Sequence, residues 1–261
     1  MSRYEEVARV LRERIENGEY QAGGTLPRYE ELTQEFSAGR GVIAGAIAVL
    51  EREGLVRPVK RRGIVVLERL ERRRIQRGHL IMRDPQRGYV FPAATHPGEP
   101  WDVHGRPVRE YVPASDRAAE LLGVPPGTPT LRRRRITSPA GEPPFQLVDT
   151  WLSAEAVRDA PRVGDASTGP GGYLDRLEEA GHGPIRWTEY TRTRMPNRDE
   201  CAALEISPEM PVLETAIVGT SAQSSNVLEV TVRAIPADRV ELVTELRRAD
   251  SASWPTEPVQ P

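Results

Sequence analysis

The chain has 261 residues, of which 38% are hydrophobic and 28% are charged, and its formal net charge is −2. No apolar run approaches the roughly 20 residues of a membrane span, and no charged start precedes an apolar run, so we expect a cytoplasmic protein without a membrane partner. The single cysteine, Cys201, excludes an intrachain disulfide. A chain of this length predicts two domains.

The first part of the chain predicts three helices. Apolar residues recur at three- and four-residue spacing from Val7 to Ile15, which places them on one helix face, and Asn17-Gly18 ends that helix. After a turn at Leu26-Pro27, residues 29–36 predict a second, short helix. Residues 42–50 supply the core face of a third helix. This order is typical of a helix-turn-helix domain.

Two short strands are predicted next, at residues 55–57 and 64–67, and a basic turn joins them in the manner of a wing. Residues 1–78 carry 16 Lys and Arg against 12 Asp and Glu, a net charge of +4, whereas the remainder of the chain carries −6. A modestly basic head on an acidic body suits a DNA-binding module joined to a second domain that does not bind DNA. Because the excess is small, we expect moderate and salt-sensitive affinity.

The segment combines core, turn and wing residues in a fixed order that includes Leu26-Pro27, Phe36, Glu53-Gly54-Leu55-Val56 and Arg62-Gly63. In these residues it resembles the DNA-binding domain of the GntR family of bacterial transcription regulators. The resemblance implies that residues 1–67 form a winged helix-turn-helix that binds double-stranded DNA.

The sequence departs from that family at the start of the recognition helix, where Gly39-Arg40-Gly41 stands and a second arginine of the family is absent. Gly41 and Gly45 each cost about 1 kcal/mol relative to alanine in a helix interior, so we expect a poorly preformed helix whose backbone can approach the groove closely. The rival interpretation is that the basic residues are ordinary solvated charges. The residues that we expect to contact DNA are Arg28, Tyr29, Arg40, Gly41, Val42, Lys60, Arg61, Arg62 and Gly63.

The segment that follows the head is rich in arginine. Residues 68–78 contain few apolar side chains, so we expect an exposed basic linker that can also touch phosphates. A second domain is predicted over 79–248. The Pro-rich residues 249–261 predict a disordered tail.

The second domain has the pattern of an antiparallel α+β fold. Its strand-like segments are rich in β-branched residues, are bounded by Pro and Gly turns, and are separated by short helical segments. The predicted strands are 130–137, 146–152, 185–194, 212–219 and 227–235, and the predicted helices are 114–122, 154–159, 172–180 and 198–204.

Segments of this domain, such as 121–129, 149–152, 211–214 and 228–230, resemble the UTRA effector-binding domain of the HutC branch of the GntR family. The fold of that domain is similar to chorismate lyase. Residues 79–109 look closer to a subgroup that includes repressors of actinobacterial plasmid transfer. The resemblance implies that a small-molecule effector regulates DNA binding.

The candidate effector site rests on strand alternation and on this resemblance. Alternation places Arg133 and Arg135 on one sheet face, which can point into a cleft, and leaves the two neighbouring arginines in water. By the resemblance, Arg135 and Glu229 stand at effector-contacting positions. Thr137 replaces a second arginine and Ile235 a tyrosine, which argues against a phosphosugar effector. Each candidate has a rival interpretation as a solvated sheet residue. The expected effector-binding residues are Arg133, Arg135, Gln146, Thr150, Tyr173, Arg192, Arg194 and Glu229.

Catalytic, metal and cofactor motifs find little support. The histidines lack metal-ligand spacing, and the glycine-rich residues 164–173 lack the Lys and hydroxyl pair of a phosphate-binding loop, so we expect no catalytic residue, no metal and no cofactor. We interpret the protein as a homodimeric repressor that an effector releases from a palindromic operator. Two alternatives stay open, namely a constitutive DNA-binding protein with a cleft that has lost its ligand, and a lyase-like enzyme with a vestigial DNA-binding head. A carboxylate-binding arginine beside a buried acid at the base of the cleft would favour the enzyme.

Overall fold

A computed structural model describes residues 2–59, 61–67, 72–78, 80–84, 88–91 and 99–246. Among these residues, no helix is both long enough and apolar enough to cross a membrane. The N-terminal domain contains, in the expected order, α1 (Arg3–Glu16), α2 (Tyr29–Glu35), α3 (Arg40–Arg52), β1 (Val56–Val59) and β2 (Gly63–Val66).

The N-terminal domain encloses its own apolar core. Leu11, Ile43 and Leu50 are fully buried where α1 packs on α3, and the burial of each such side chain contributes about 1.5–3 kcal/mol. A bidentate ion pair closes the same contact, because Nε and Nη2 of Arg12 donate to the Glu53 carboxylate at 2.7 and 2.5 Å. The three-helix and two-strand arrangement therefore agrees with the sequence prediction.

The second domain follows the head in the chain and mixes helices with antiparallel strands, as predicted. Its elements are β3 (Arg73–Arg77), β4 (Met82–Asp84), β5 (Gly88–Val90), β6 (Trp101–Pro113), α4 (Asp116–Leu122), β7 (Pro129–Pro139), β8 (Gln146–Leu152), α5 (Ala154–Asp159), α6 (Gly172–Leu177), β9 (Ile185–Arg194), α7 (Arg198–Leu204), β10 (Val212–Ser221), β11 (Val227–Pro236) and β12 (Val240–Thr244).

Six of these strands form one antiparallel sheet in the order β6-β7-β8-β11-β10-β9. The register places Arg133, Thr150 and Thr231 side by side on one face, which we call the cavity face. The opposite face, called the rear face, carries Trp151 and Val230, against which α4 packs. α5 and α6 pack on the cavity face through a separate apolar cluster.

The basic segment between the domains departs from the sequence prediction. Residues 68–71 lie outside the described residues, but residues 73–77 form β3, which pairs in parallel with β12. Ile75 is fully buried in a cluster with Phe145 and Ile235. The expectation of an exposed linker is therefore wrong for β3, because a single apolar residue anchors this strand to a partner far along the chain, which local composition cannot reveal.

The sequence does not predict strand β6. It spans Trp101–Pro113 at the edge of the sheet, and nearly all of its side chains are exposed or half-buried. An edge strand of this kind needs no apolar alternation, so its sequence carries no strand periodicity.

Candidate functional site

The N-termini of α2 and α3 bring three of the expected DNA-binding residues together. Arg28 is the residue before α2, Tyr29 is its first residue and Arg40 is the first residue of α3. The Arg40 guanidinium carbon lies 5.6 Å from the centroid of the Tyr29 ring, in the range of a cation–π contact. These side chains border a hollow of about 360 Å³. Two guanidinium groups at helix N-termini make this hollow suitable for a phosphate group.

The exposed side of α3 is nearly bare of side chains. Gly41 is exposed, and a Cβ placed on it would meet nothing within 4 Å. Val42 is half-buried against the core of the head. Gly45 has a different role from the one expected, since its Cβ would lie 3.2 Å from Cβ of Tyr4 in α1. Gly45 therefore permits close packing of α3 on α1, and only Gly41 leaves the backbone open to a groove.

The turn between β1 and β2 carries the wing residues. Arg61 and Gly63 have positive φ angles of 67° and 98°, which fold the turn tightly. Nη2 of Arg62 donates to the carbonyl oxygen of Gly23 at 2.9 Å. Arg61, Arg62 and Gly63 are exposed, while Lys60 lies outside the described residues. The described wing residues thus form an exposed basic tip, with Arg62 also tied to the head.

A cavity of about 240 Å³ lies on the cavity face, between the sheet, the start of α6 and β5. Close backbone contact forms one wall, since a Cβ on Gly88 would lie 2.0 Å from the carbonyl oxygen of Gly171. Tyr89 and Phe91 pack against the Trp187 ring with centroid distances of 4.8 and 5.3 Å. The lining residues are Tyr89, Phe91, Arg135, Gly171, Gly172, Tyr173, Leu174, Ile217, Glu229, Thr231 and Arg233.

A buried acid forms the floor of the cavity. Glu229 is 1% exposed and accepts hydrogen bonds from Thr231 Oγ1 at 2.8 Å and from the Tyr173 hydroxyl at 3.3 Å. Burial raises the pKa of Glu229 to about 7, against the opposing effect of these two hydrogen bonds. Burial also raises the pKa of Tyr173. Glycine is required opposite the acid, because a Cβ on Gly219 would lie 2.8 Å from Glu229 Oε1.

Two arginines face the same cavity. Arg135 and Arg233 line it, and neither forms a hydrogen bond or ion pair within the described part of the chain. Burial, together with the charge of Arg135, lowers the pKa of Arg233 to about 10. Sequence reasoning missed Arg233, although Glu229, Thr231 and Arg233 alternate along one strand and so share a face. The cavity therefore combines a buried carboxyl group with two arginines that form no ion pair among the described residues, although the charge of Glu189 acts on Arg233.

Three other expected residues lie beside the cavity and do not line it. The Arg133 guanidinium donates to the carbonyl oxygens of Val163 and Asp165 and lies 5.9 Å from the Tyr173 ring centroid. Thr150 is buried behind the floor, where its hydroxyl is 2.9 Å from that of Thr231. The third residue, Gln146, donates to the Thr137 hydroxyl at 2.9 Å, and neither of these two residues lines the cavity.

Arg192 and Arg194 do not flank the cavity, contrary to expectation. The register pairs Arg192 with Glu214 on the rear face, and Arg194 is on the same face. Arg194 binds both Glu214 and Glu200 at 2.6 Å. Burial alone would raise the pKa of Glu214. Hydrogen bonds from Arg192 and Arg194 outweigh this effect and lower the pKa. A strand of ten residues alternates between two faces, and sequence proximity to a cleft does not decide which face a residue takes.

The rear face also corrects the expectation that the second arginine pair of β7 stays in water. Arg134 binds the Asp149 carboxylate through Nε and Nη2 at 2.7 Å and also reaches Asp199 of α7. These hydrogen bonds raise the pKa of Arg134. Arg132 lies over the Trp151 ring at 5.5 Å. Both arginines therefore stabilise the packing of the rear face.

Comparison with known proteins gives two family matches. The profile described as "Bacterial regulatory proteins, gntR family" matches residues 3–66, and that of the UTRA domain matches residues 108–241. An uncharacterized HTH-type transcriptional regulator of Rhizobium meliloti is 29% identical over 254 residues, which cover 93% of this chain and 94% of that protein. Another, of Streptomyces coelicolor, is 26% identical over 219 residues, or 81% of each chain. A crystal structure assigned to the GntR family of transcriptional regulators is 25% identical, covers 95% of this chain and 99% of its own, and has a TM-score of 0.56.

Proposed function

Because the chain belongs to the GntR family of bacterial transcriptional regulators and carries a UTRA domain, we propose that it is a homodimeric repressor which a small anionic effector releases from a palindromic operator. The resemblance of residues 79–109 to repressors of actinobacterial plasmid transfer supports repression rather than activation. The observation that carries the proposal is the cavity, which two arginines and a buried acid line together.

The DNA side of the proposal rests on the head. Arg28, Tyr29 and Arg40 bind the phosphate backbone or a guanine at the entrance of α3, and the wing turn contacts the flanking backbone. Only Arg40, Gly41 and Ala44 are exposed along the first turns of α3. With so few side chains available, sequence discrimination rests on a small number of base contacts and on DNA shape. Two heads in a dimer would occupy half-sites about one helical turn apart.

The chemistry of the cavity defines the effector class. Arg135 and Arg233 provide donors for a carboxylate or phosphate group, and a guanidinium without a partner favours an anion. Glu229 and the Tyr173 hydroxyl provide acceptors for a hydroxyl or amino group at the other end of the ligand. A volume of about 240 Å³ is below the roughly 300–1,000 Å³ of sites for drug-sized ligands. The effector is therefore a small anionic metabolite with a hydrogen-bond donor.

Strand β11 connects the cavity to the head. It carries Glu229 and Arg233 at the cavity and ends beside Asp238, which contacts the head: a Cβ on Gly54 would lie only 2.5 Å from Asp238 Oδ2. Arg57 of β1 binds Glu205 of the second domain across the same boundary. A ligand that shifts β11 would move the surface against which the head packs. A coupling free energy of about 1–3 kcal/mol between the two binding sites is typical of allosteric proteins.

The proposal is tested by a thermal-shift screen of small anionic metabolites, followed by operator binding. Compounds that stabilise the wild type should fail to stabilise Arg233→Met, which removes the charge and keeps the apolar stem. Arg186→Met is the matched control, because Arg186 is an exposed strand residue outside the cavity lining. Equal stabilisation of wild type and Arg233→Met by every active compound would contradict the assignment of the cavity. Operator affinity that no compound changes would instead favour a constitutive DNA-binding protein.

One observation favours a second candidate function. An arginine, Arg135, and a buried acid, Glu229, line one cavity, and a lyase-like enzyme would need both groups in its cleft. Incubation of the protein with each stabilising compound, followed by mass analysis, separates the two functions. A regulator returns the compound unchanged, whereas an enzyme converts it in many turnovers.

A further inference from the structure

Three metal-ligating side chains meet outside the cavity. Glu155 and Asp159 are four residues apart on α5, so they share one helix face. His182 ends the turn that follows α6 and reaches the same place. One ligand atom from each of the three lies within 4.8 Å of the others. The sequence predicted no metal site, since 22 residues separate His182 from Asp159 and no spacing motif joins them.

The imidazole of His182 has a polar neighbour at this meeting point, the Asp159 carboxylate, and the two groups are not aligned for a good hydrogen bond. His182 is 6% exposed, and its Nε2 is buried without a hydrogen bond. The same Nε2 points at the carboxylates, since it lies 3.3 Å from Oδ2 of Asp159. A buried polar atom without a well-aligned hydrogen bond costs free energy, and an ion placed between His182 and Asp159 would satisfy both groups.

The surrounding structure fixes the three side chains from behind. Gly181 has a φ of 93°, which turns the chain sharply before His182. The His182 carbonyl oxygen accepts a hydrogen bond from Ser221 Oγ at 3.1 Å. Asn226 Nδ2 donates to Glu155 Oε2 at 2.7 Å, which orients that carboxylate. Hydrogen bonds of this kind orient metal ligands in known sites.

We propose that Glu155, Asp159 and His182 bind a divalent transition-metal ion, with zinc favoured, and that the ion ties α5 to the chain leaving α6. Imidazole and carboxylate groups are zinc ligands, and bond lengths of about 2.0–2.1 Å place two tetrahedral ligands about 3.3 Å apart, as His182 Nε2 and Asp159 Oδ2 already are. The Glu155 carboxylate completes the set with a small rotation. Water fills the remaining position.

The site lies in the layer that covers the cavity. α5 and α6 pack in one apolar cluster on the cavity face, and α6 begins beside the cavity-lining Tyr173. A metal ion at the far end of this layer would hold it together without touching the effector. Arg158 binds the Asp159 carboxylate from the solvent side at 2.8 and 3.1 Å and competes with the ion for it.

The test is titration of the metal-free, tag-free full chain with Co²⁺, read by visible absorption and then by displacement with Zn²⁺. The wild type should bind one equivalent with the absorption of a four- or five-coordinate ion. Asp159→Asn and Glu155→Gln should weaken binding at least about tenfold. Arg158→Ala, which removes the competing cation, should strengthen it. Zn²⁺ should raise the melting temperature of the wild type and leave that of Asp159→Asn unchanged.

Glu179→Gln is the matched control, because Glu179 is an exposed carboxylate in the same turn as His182, is paired with Arg176 and is outside the cluster. It should bind Co²⁺ like the wild type. His182→Gln alters a buried residue, so the two α5 variants carry the test if it misfolds. The proposal is overturned if the wild type binds no Co²⁺ or Zn²⁺, or if Asp159→Asn and Glu155→Gln bind both ions as tightly as the wild type.

Discussion

Replacement of Glu229 by Gln should change how the stability of the second domain depends on pH. The glutamine keeps the shape of the side chain and removes its titration. Burial raises the pKa of Glu229 from 4.5 to about 7, so the folded state disfavours the carboxylate. A raised acid pKa leaves stability intact below the unfolded value and lowers it as pH rises through the folded value. The wild type should therefore lose stability between about pH 4.5 and 7, and the variant should not.

The size of the effect follows from the shift. About 2.5 pKa units at 1.36 kcal/mol each give a maximum of about 3 kcal/mol, of which about 2.5 kcal/mol falls between pH 5 and pH 8. The free energy of unfolding of Glu229→Gln minus that of the wild type should therefore be about 2–3 kcal/mol larger at pH 8 than at pH 5. Taking the difference between the two proteins cancels the other titrating groups.

Urea unfolding followed by tryptophan fluorescence measures this difference. The tryptophans among the described residues, Trp101, Trp151 and Trp187, all lie in the second domain, so the signal reports that domain. Glu120→Gln is the control, because the Glu120 side chain is 65% exposed, and its difference from the wild type should be nearly the same at both pH values. An equally flat difference for Glu229→Gln would refute the placement of a buried acid with a raised pKa at the floor of the cavity.

Three further results are expected. Arg40→Ala should weaken DNA binding by about 1–3 kcal/mol without lowering the melting temperature of the head, as measured by fluorescence anisotropy at fixed salt; unchanged affinity would remove Arg40 from the interface. Gly41→Ala should stabilise the head by up to about 1 kcal/mol, as measured by urea unfolding followed by circular dichroism. Gly45→Ala should stabilise the head less, or destabilise it, because the new Cβ would lie 3.2 Å from Tyr4. Equal gains in stability for the two variants would show that α3 is not tightly packed at Gly45. Arg134→Met should destabilise the second domain by about 3–5 kcal/mol, since it leaves a half-buried carboxylate without its partner, and a loss below about 1 kcal/mol would contradict a structural role for that ion pair.

The sequence predicts well those helices and strands whose own residues carry a recognisable pattern. The bounds of β8, β9, α5 and α7 agree with the predicted segments residue for residue. β8 buries residues of both faces, whereas β9 is an exposed edge strand that its β-branched and aromatic residues predict. The antiparallel α+β class followed from the same pattern.

Other parts of the fold depend on distant partners that no local pattern reveals. β3 is a strand because β12, far along the chain, pairs with it and because Ile75 enters a core that the second domain provides. β6 is an edge strand with little apolar content. Composition describes the β3 segment by its positive charge, which is real but does not determine its pairing, and it predicts no strand at β6.

The residues of the candidate sites also fall into two groups, those that strand alternation predicts and those that depend on the tertiary structure. Alternation placed Arg135 on the cavity face, and the same rule applied to β11 would have found Arg233. The register between β9 and β10 decides that Arg192 and Arg194 lie on the rear face, and it cannot be read without the sheet order. The cluster of Glu155, Asp159 and His182 requires the packing of α5 against the turn after α6, which only the tertiary structure supplies.

The most direct test of the central claim is operator binding at fixed salt, with and without an anionic compound that stabilises the protein, for the wild type and Arg233→Met. Footprinting on DNA next to its gene would first supply the operator. We expect the compound to lower the operator affinity of the wild type about 5- to 150-fold, whereas Arg233→Met should bind the operator equally well with and without it. Release of both proteins by the same concentration of compound would contradict control of the DNA-binding head through this cavity.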